Sequence, residues 1–425
     1  MDIRFIDLFA GIGGIRKGLE LACADAGHTP VCVFTSEIKP YAVSVLRQNH
    51  PGEEIHGDIT QIDGAAIPDF DILCAGFPCQ AFSAAGKREG FADTRGTLFF
   101  DVERILQTKR PRGFILENVE GLVGHDGGKT LRTILSHLRA IGYNVSYAVL
   151  NSKYFGVPQE RKRIYIVGTF GNAIPLDGFP VERRTLAGVL EQGLPTMDTA
   201  FTRLLLRRFD IAQLPGKSIK DKRGGKNNIH SWDIDVKGPT TVQERDFLNI
   251  LLKERRKRKW ADMYGIDWMD GMPLTKEMIA TFYDRRDLDT LLDSLTAKGY
   301  LVYEHPKKKV KVKNEAGQEV SRRQYDENLP RGYNIVAGKL SFEINKILDP
   351  ASIAPTLVAT DMQRLAVVDG EGLRKLSLRE GLGMFGYPQD YRFDVSEAEG
   401  YDLLGNTVVV PVIQAVCGRL LDNIF

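Results

Sequence analysis

Short apolar runs alternate with stretches of helical period through the first 170 residues, and this alternation limits the fold more than any other feature of the chain. The runs are IRFIDLF, VCVFTSE, FDILCAG, RGFILEN and RIYIVGTF, with helical patterns near 14–26 and 40–48. Strands separated by crossover helices build a mostly parallel sheet covered on both faces, so the expected class is α/β. Ligands in such sheets sit at the carboxyl ends of the strands. The residues just after each run are therefore the candidates for chemistry.

The alternation stops at Gly171. The text turns basic, with GKSIKDKRGGKNN, ERRKRKW and HPKKKVKVKNEAGQEVSRRQ, and α/β patterning resumes near Ala354 with RLAVVDG, a helix around Leu378–Met384 and VVVPVIQAVCGRLL. The expected layout is a core of residues 1–170 and 355–425 interrupted by an inserted domain, 171–354. Between Gly171 and Pro350 stand 32 Lys+Arg against 26 Asp+Glu, a surplus of cations inside a chain whose net charge is only +2. A basic middle beside an acidic remainder fits a polyanion partner, and equally a solvated lysine-rich surface. Within it, LTKEMIATFY and RRDLDTLLDSLTAKGYL read as two helices followed by a basic hairpin, the pattern of a helix-turn-helix with a wing. The five cysteines include no C-x-x-C pair and no histidine cluster beside them, which predicts reduced thiols and no metal site. No run approaches the roughly 18 apolar residues of a membrane span, and the N-terminus lacks the apolar core of a signal peptide.

The first apolar run ends in Phe9-Ala10-Gly11-Ile12-Gly13-Gly14, a glycine turn opening a helix. Arg16 stands where a dinucleotide fingerprint needs its third glycine, which disfavours NAD. Glu37 closes the second run and Asp58 follows the next. Three such features at three strand ends favour a nucleoside-containing cofactor. Gly124–Thr130 imitates a phosphate-binding loop, but Val123 occupies its first glycine position, so ATP hydrolysis is set aside. FDILCAG leads into Gly76-Phe77-Pro78-Cys79-Gln80, a cysteine on a proline-restricted turn. Two later strand ends supply Glu117-Asn118-Val119 and Gln159-Glu160-Arg161-Lys162-Arg163. Arginines entering a buried strand are costly unless they meet an anion.

These motifs, in this order, together with Gly405-Asn406-Thr407-Val408, Arg95-Gly96-Thr97-Leu98-Phe99 and Arg374–Glu380, resemble those of the DNA cytosine-5 methyltransferases. The resemblance covers residues 2–170 and 355–425, with the basic segment where the family carries its target-recognition region. It implies a Rossmann-like S-adenosyl-L-methionine-dependent core. Cys79 would add to C6 of a flipped cytosine, Glu117 would serve N3 as a protonated carboxyl, and Arg163 would contact O2. Arg161 would orient Glu117 or bind phosphate, and Asn118 would fix the Cys79 turn. Phe9, Gly11, Gly13, Glu37, Asp58, Ile59, Asn406 and Thr407 would hold the cofactor, the late motif folding back beside the first. Gln80, Ser83, Lys87, Arg88 and Arg95 would meet DNA from a loop closing over the base. The implied partner is double-stranded DNA, met by a cytoplasmic monomer with no membrane contact. A cognate restriction endonuclease acting separately accords with this reading. An RNA (tRNA) cytosine methyltransferase and a catalytically silent DNA-binding relative are the alternatives. No motif singles out the base that removes the C5 proton, and none encodes the recognised sequence.

Overall fold

The computed structural model describes residues 1–77, 98–222, 224–267, 271–313, 319–336 and 342–425. Cys79, Gln80, Ser83, Lys87, Arg88 and Arg95 lie outside the described residues. In chain order the first part holds β1 (Asp2–Leu8), α1 (Gly14–Asp25), β2 (Thr29–Ser36), α2 (Pro40–Asn49), β3 (Ile55–His56), β4 (Ile72–Ala75), α3 (Leu98–Lys109), β5 (Gly113–Val119), α4 (Lys129–Ala140), β6 (Asn144–Asn151) and β7 (Lys162–Thr169). The middle holds α5 (Ala200–Arg208), β8 (Ser218–Ile219), β9 (Asn228–Ile229), α6 (Val242–Glu254), α7 (Arg258–Asp262), α8 (Lys276–Ala280), α9 (Leu288–Ala297), β10 (Leu301–Glu304), β11 (Lys307–Lys313), β12 (Glu319–Tyr325), β13 (Gly332–Ile335) and β14 (Lys346–Ile347). The chain ends with α10 (Ala359–Met362), β15 (Leu365–Asp369), β16 (Gly372–Lys375), α11 (Leu378–Phe385), α12 (Glu397–Asn406) and α13 (Val410–Ile424).

The chain divides into two compact units. The first comprises Met1–Gln192, Asp349–Gln363 and Leu376–Phe425; the second comprises Gly193–Leu348 and Arg364–Lys375. Composition changes at Gly171, but the chain stays with the first unit as far as Gln192. Backbone bonds hold it there: Gly156 N–H donates to Glu182 O and Glu182 N–H to Tyr154 O, at 3.0 and 2.9 Å. The RLAVVDG run belongs to the second unit, because β15 pairs with β14 and β16 rather than with the large sheet.

The first unit is built on a seven-stranded sheet of order β3-β2-β1-β4-β5-β7-β6. The strands from β3 to β5 are parallel, while β7 runs antiparallel to both β5 and β6. The central strands are apolar throughout, as strands covered on both faces must be; Phe5, Ile6, Ile72, Leu73, Phe114 and Ile115 are fully buried. Prolines at the first turns of α2 and α13 and the capping boxes Ser377/Glu380 and Ser396/Glu399 start the helices that flank the sheet. The span Glu397–Ile424 contains a window apolar enough to cross a membrane, but 67% of that window is buried inside the protein, so its apolarity is that of a core. In the Gly124–Thr130 loop, the Thr130 hydroxyl is occupied by His125 Nδ1 at 2.6 Å.

Helices α1 and α13 meet where α1 has a glycine. A Cβ on Gly18 would lie 2.4 Å from Ile413 Cβ, a branched atom with no room to withdraw. Alanine is favoured over glycine in a helix by about 1 kcal/mol, but overpacking costs about 1–3 kcal/mol. Steric cost should win here: Gly18→Ala lowers the urea-unfolding free energy despite its better helix propensity, and a stabilised variant would disprove the close approach.

Candidate active site

Past Leu8 the backbone turns sharply, with Phe9, Gly11 and Gly13 at φ of 55°, 55° and 71°. For Phe9 this left-handed conformation is strained, a cost of order 1–2 kcal/mol that functional sites often carry. Gly11 N–H donates to Glu37 Oε2 at 2.7 Å, and Glu37 Oε1 accepts from Ile38 N–H and Lys39 N–H at 2.8 Å each. Three backbone donors thus fix this carboxylate, which retains acceptor capacity toward the adjoining cavity. Asp58 Oδ1 caps the turn Ile59–Gln61 by accepting from Thr60 N–H at 3.0 Å, and Ile59 is buried.

The C-terminal return closes on this turn. The side of Gly14 that lacks a Cβ is filled by the Tyr387 hydroxyl, Val408 and Thr407, all within 3.0 Å of where that Cβ would stand. Thr407 Oγ1 and the Tyr387 hydroxyl are hydrogen bonded at 2.6 Å. Asn406 donates to the Asp402 backbone oxygen at 2.8 Å, and Asp402 also receives Lys39 Nζ at 2.7 Å, tying α12 to the start of α2.

At the other end of the site the antiparallel register of β5 and β7 sets Glu117 opposite Tyr165 and Val119 opposite Arg163. Arg163 Nε reaches Glu117 Oε1 at 3.2 Å, with both side chains largely buried. Burial pushes the Glu117 carboxyl above the usual carboxylate range, opposed by the positive charges of Arg163 and Arg161. Asn118 donates to Phe77 O at 3.2 Å and accepts from Val119 N–H at 2.8 Å. The first bond ties Asn118 to the Phe77 strand end, and the second fixes the Asn118 side chain against its own strand.

Arg161 is held by backbone carbonyls. It is 3% exposed, donating to Leu357 O at 2.8 Å, Gly405 O at 3.1 Å and Thr407 O at 2.9 Å. Its guanidinium also lies over the Phe385 ring at 5.2 Å. The side chain locks the Gly405–Thr407 loop in place. Gln159, also buried, holds a different stretch, donating to Met384 O at 3.1 Å and accepting from Leu357 N–H at 3.3 Å. Asp402, Tyr387 and Leu357 were not singled out by the sequence, because an acid one turn ahead of Asn406 looks like any surface acid until the chain has folded.

These groups surround one cavity of about 520 Å³ lined by Phe9, Gly11, Glu37, Asp58, Ile59, Gly76, Phe77, Glu117, Asn118, Arg161, Arg163, Asn406 and Thr407, among others. Gly13 lies just behind it, against Leu46. The volume falls in the range of about 300–1,000 Å³ usual for cofactor and small-ligand sites. Among the described residues no group of three acids, histidines or cysteines could hold a metal ion.

An open, mostly parallel sheet with its glycine turn, acids and carboxyl–guanidinium pair gathered at the strand ends defines a Rossmann-like methyltransferase core. The fold is shared along 99% of the chain with Entamoeba histolytica methyltransferase EhMeth (TM-score 0.54, 14% identity, 98% of that chain covered). It is shared likewise with a DNA modification methyltransferase encoded within an E. coli prophage (TM-score 0.53, 18% identity, 99% of both chains). A family model described as C-5 cytosine-specific DNA methylase matches residues 3–422; the chain belongs to that family and is a cytosine-C5 DNA methyltransferase. It is 60% identical to the type II methyltransferase M.NlaIV of Neisseria lactamica and 59% identical to M.NgoBV of Neisseria gonorrhoeae, each over the whole of both chains. It is 40% identical to M.BanI of Aneurinibacillus aneurinilyticus over the whole chain and 96% of that relative.

The raised Glu117 pKa sets a sign for stability. A carboxyl with a higher pKa in the folded than in the unfolded state contributes stability below the unfolded value, near 4.5, that is lost as pH rises through the folded value. Glu117→Gln removes this dependence. Urea unfolding of both forms at pH 5 and pH 8 should therefore show the variant gaining on the wild type at the higher pH; the opposite trend would mean that Arg163 dominates the carboxyl.

Proposed function

We propose that the protein methylates C5 of cytosine within a specific duplex DNA sequence, taking the methyl group from S-adenosyl-L-methionine. The reaction passes through a flipped base and a transient Cys79–C6 bond. The observation that carries this reading is the buried Glu117–Arg163 pair, 3.2 Å apart at the edge of the cavity and beside the Gly76-Phe77 strand end that runs on to Cys79.

The residues present fit the cofactor. Gly11 has no atom within 4 Å of where its Cβ would be, leaving its backbone open to close approach. Glu37, held by three amides, would accept the ribose hydroxyls. Asp58 and Ile59 would meet the adenine, and Phe9, Gly13, Asn406 and Thr407 would enclose the methionine end. When bound, the sulfonium would supply an electrophilic methyl group, its methyl–sulfur bond breaking with the electron pair left on sulfur as a neutral thioether.

Inside a duplex the ring is stacked and out of reach, so the cytosine must be turned out into the site. The Cys79 thiolate then adds to C6, forming a sulfur–carbon bond and sending the C5–C6 electron pair toward C5. Glu117, whose carboxyl burial shifts toward the protonated form against the pull of Arg163 and Arg161, hydrogen bonds to N3 or yields its proton there, while Arg163 holds O2. C5 takes up the methyl group. Loss of the C5 proton to a base, for which water serves, restores the double bond and expels the thiolate. Arg161 and Asn118 act as positioning residues. The second unit, with Gln80, Ser83, Lys87, Arg88 and Arg95, would hold the duplex. The type II naming of the similar chains supports a place in a restriction system, with a separate cognate endonuclease and a monomer acting in the cytoplasm.

Incubation with methyl-labelled S-adenosyl-L-methionine and mixed-sequence duplex DNA should label the DNA. Cys79→Ala should abolish labelling while leaving cofactor affinity unchanged, and DNA carrying 5-fluorocytosine at the target should become covalently attached to the wild type alone. Attachment that survives the substitution would place the nucleophile elsewhere.

A further inference from the structure

The second unit contains a module with its own core. Phe247, Leu248, Leu251 and Leu252 of α6 pack with Met278 and Ile279 of α8, Leu288, Leu291, Leu292 and Leu295 of α9, Leu301 of β10 and Ile335 of β13. Leu274 bridges to Tyr333 just ahead of α8, and β10 pairs antiparallel with β13. Between those two strands the chain runs out and back as a separate two-stranded ribbon, β11 with β12. Helix, bridge, helix, helix, strand, ribbon, strand is the order of a winged helix, in which α9 is the helix usually aimed at the major groove.

The charges argue against that use of α9. Its buried positions 288, 291, 292 and 295 leave Asp289, Thr290 and Asp293 exposed, with Asp287 at its start. Carboxylates repel phosphates, and the cations beside this face are already engaged by them, Lys276 at 2.6 Å from Asp289 and Arg285 at 3.0 Å from Asp287. The ribbon is the reverse. Residues directly opposite each other in an antiparallel pair share a face. One face of the ribbon thus carries Lys307, Lys309 and Lys311 from β11 with Tyr325, Arg323 and Ser321 opposite them. Near its base the charge is partly answered: Lys307 lies over the Tyr325 ring at 4.5 Å and 4.0 Å from Glu304. Farther out Lys309 stands opposite Arg323, and its acidic neighbour Asp267, at 4.0 Å, is 81% exposed. Like charges directly opposite cost stability, and an ion pair so exposed recovers little. Lysines also guard free strand edges against aggregation, but guarding an edge does not call for cations paired across the ribbon on one face.

We infer that the β11–β12 ribbon, through Lys307, Lys309, Lys311 and Arg323, is the element by which this module grips duplex DNA, and that α9 does not enter the groove. This rests on the reading that duplex DNA is the substrate. A two-stranded ribbon fits the major groove. Lysines are point charges for phosphates rather than readers of base edges. The ribbon therefore supplies affinity common to all sequences.

The test uses the full chain, a mixed-sequence duplex and tRNA as probes, and affinity measured across a salt series. Replacing the three lysines and Arg323 by glutamine should weaken duplex binding by two orders of magnitude or so near 0.1 M salt and flatten the slope of log affinity against log salt by roughly 3 to 4, at about 0.9 per phosphate contact. Replacing Lys307, Lys309 and Lys311 by arginine should preserve both, which separates lost charge from lost fold, and Asp289→Asn with Asp293→Asn should leave binding equal or tighter. An unchanged salt slope in the glutamine variant, weaker binding in the α9 variant, or a loss confined to tRNA would each overturn the inference. A wild type that binds duplex DNA through the ribbon yet transfers no methyl group would refute the proposed function and leave the ribbon standing.

Discussion

The buried pairing of Glu117 with Arg163 is the interaction on which the rest of the site depends. Two charged groups removed from water cost several kcal/mol each before their attraction returns anything, so such a pair is poor evidence of stability and better evidence of use. What makes it affordable here is the reversed strand β7. Running antiparallel to β5, it delivers Arg163 beside the carboxyl at the very strand ends where the glycine turn, Glu37 and Asp58 already converge. A parallel β7 would have carried the arginines to the far edge of the sheet.

Arg161, two residues earlier, faces the same way and solves a different problem. Its three bonds to Leu357, Gly405 and Thr407 join the strand that carries Arg163 to the loop beside Gly14. Backbone carbonyls that would otherwise be buried without donors are thereby satisfied. Burial and the neighbouring Arg163 lower the Arg161 pKa to about 9, which still leaves it charged at neutral pH. One end of the cavity is thus mechanically tied to the other through a single side chain.

How much of this could be read from the chain follows from how local each signal is. The glycine turn, Glu117 and Arg163 are legible because each sits at the end of an apolar run, and strand ends are where open α/β sheets bind ligands. The reversal of β7 is not legible, since an apolar run looks the same in either direction. For Arg161 the sequence leaves open orienting Glu117 or binding phosphate, because the carbonyls it bonds lie some 200 residues away, with Leu357 at a separation of 196 and Thr407 at 246. The place where the second unit begins is hidden for a similar reason. The stretch from 171 to 192 has no helical or strand period, and it is assigned to the first unit by bonds to residues distant in sequence, among them Tyr154, Gly156, the 350–352 segment and Glu380.

An insertion of this size must leave the interrupted core able to close. The first unit meets that requirement locally. Ala354 N–H donates to Pro158 O at 2.8 Å, and Glu160 N–H donates to Ala354 O at 2.9 Å. The returning chain is thereby laid parallel beside the Gln159–Arg161 segment that precedes β7. Thr356 adds a bond to Glu160 O at 2.7 Å, and Gln159 Oε1 receives Leu357 N–H at 3.3 Å. Because loop closure costs grow only with the logarithm of loop length, holding both ends at one fixed place makes the length between them nearly free. The segment that receives the return is also the one that aims Arg161 and Arg163. The core can therefore accept changes in the Gly193–Leu348 segment without disturbing its reactive groups, provided that the Gln159–Ala354 junction is kept and that the segment still offers β14 to β15 of Arg364–Lys375.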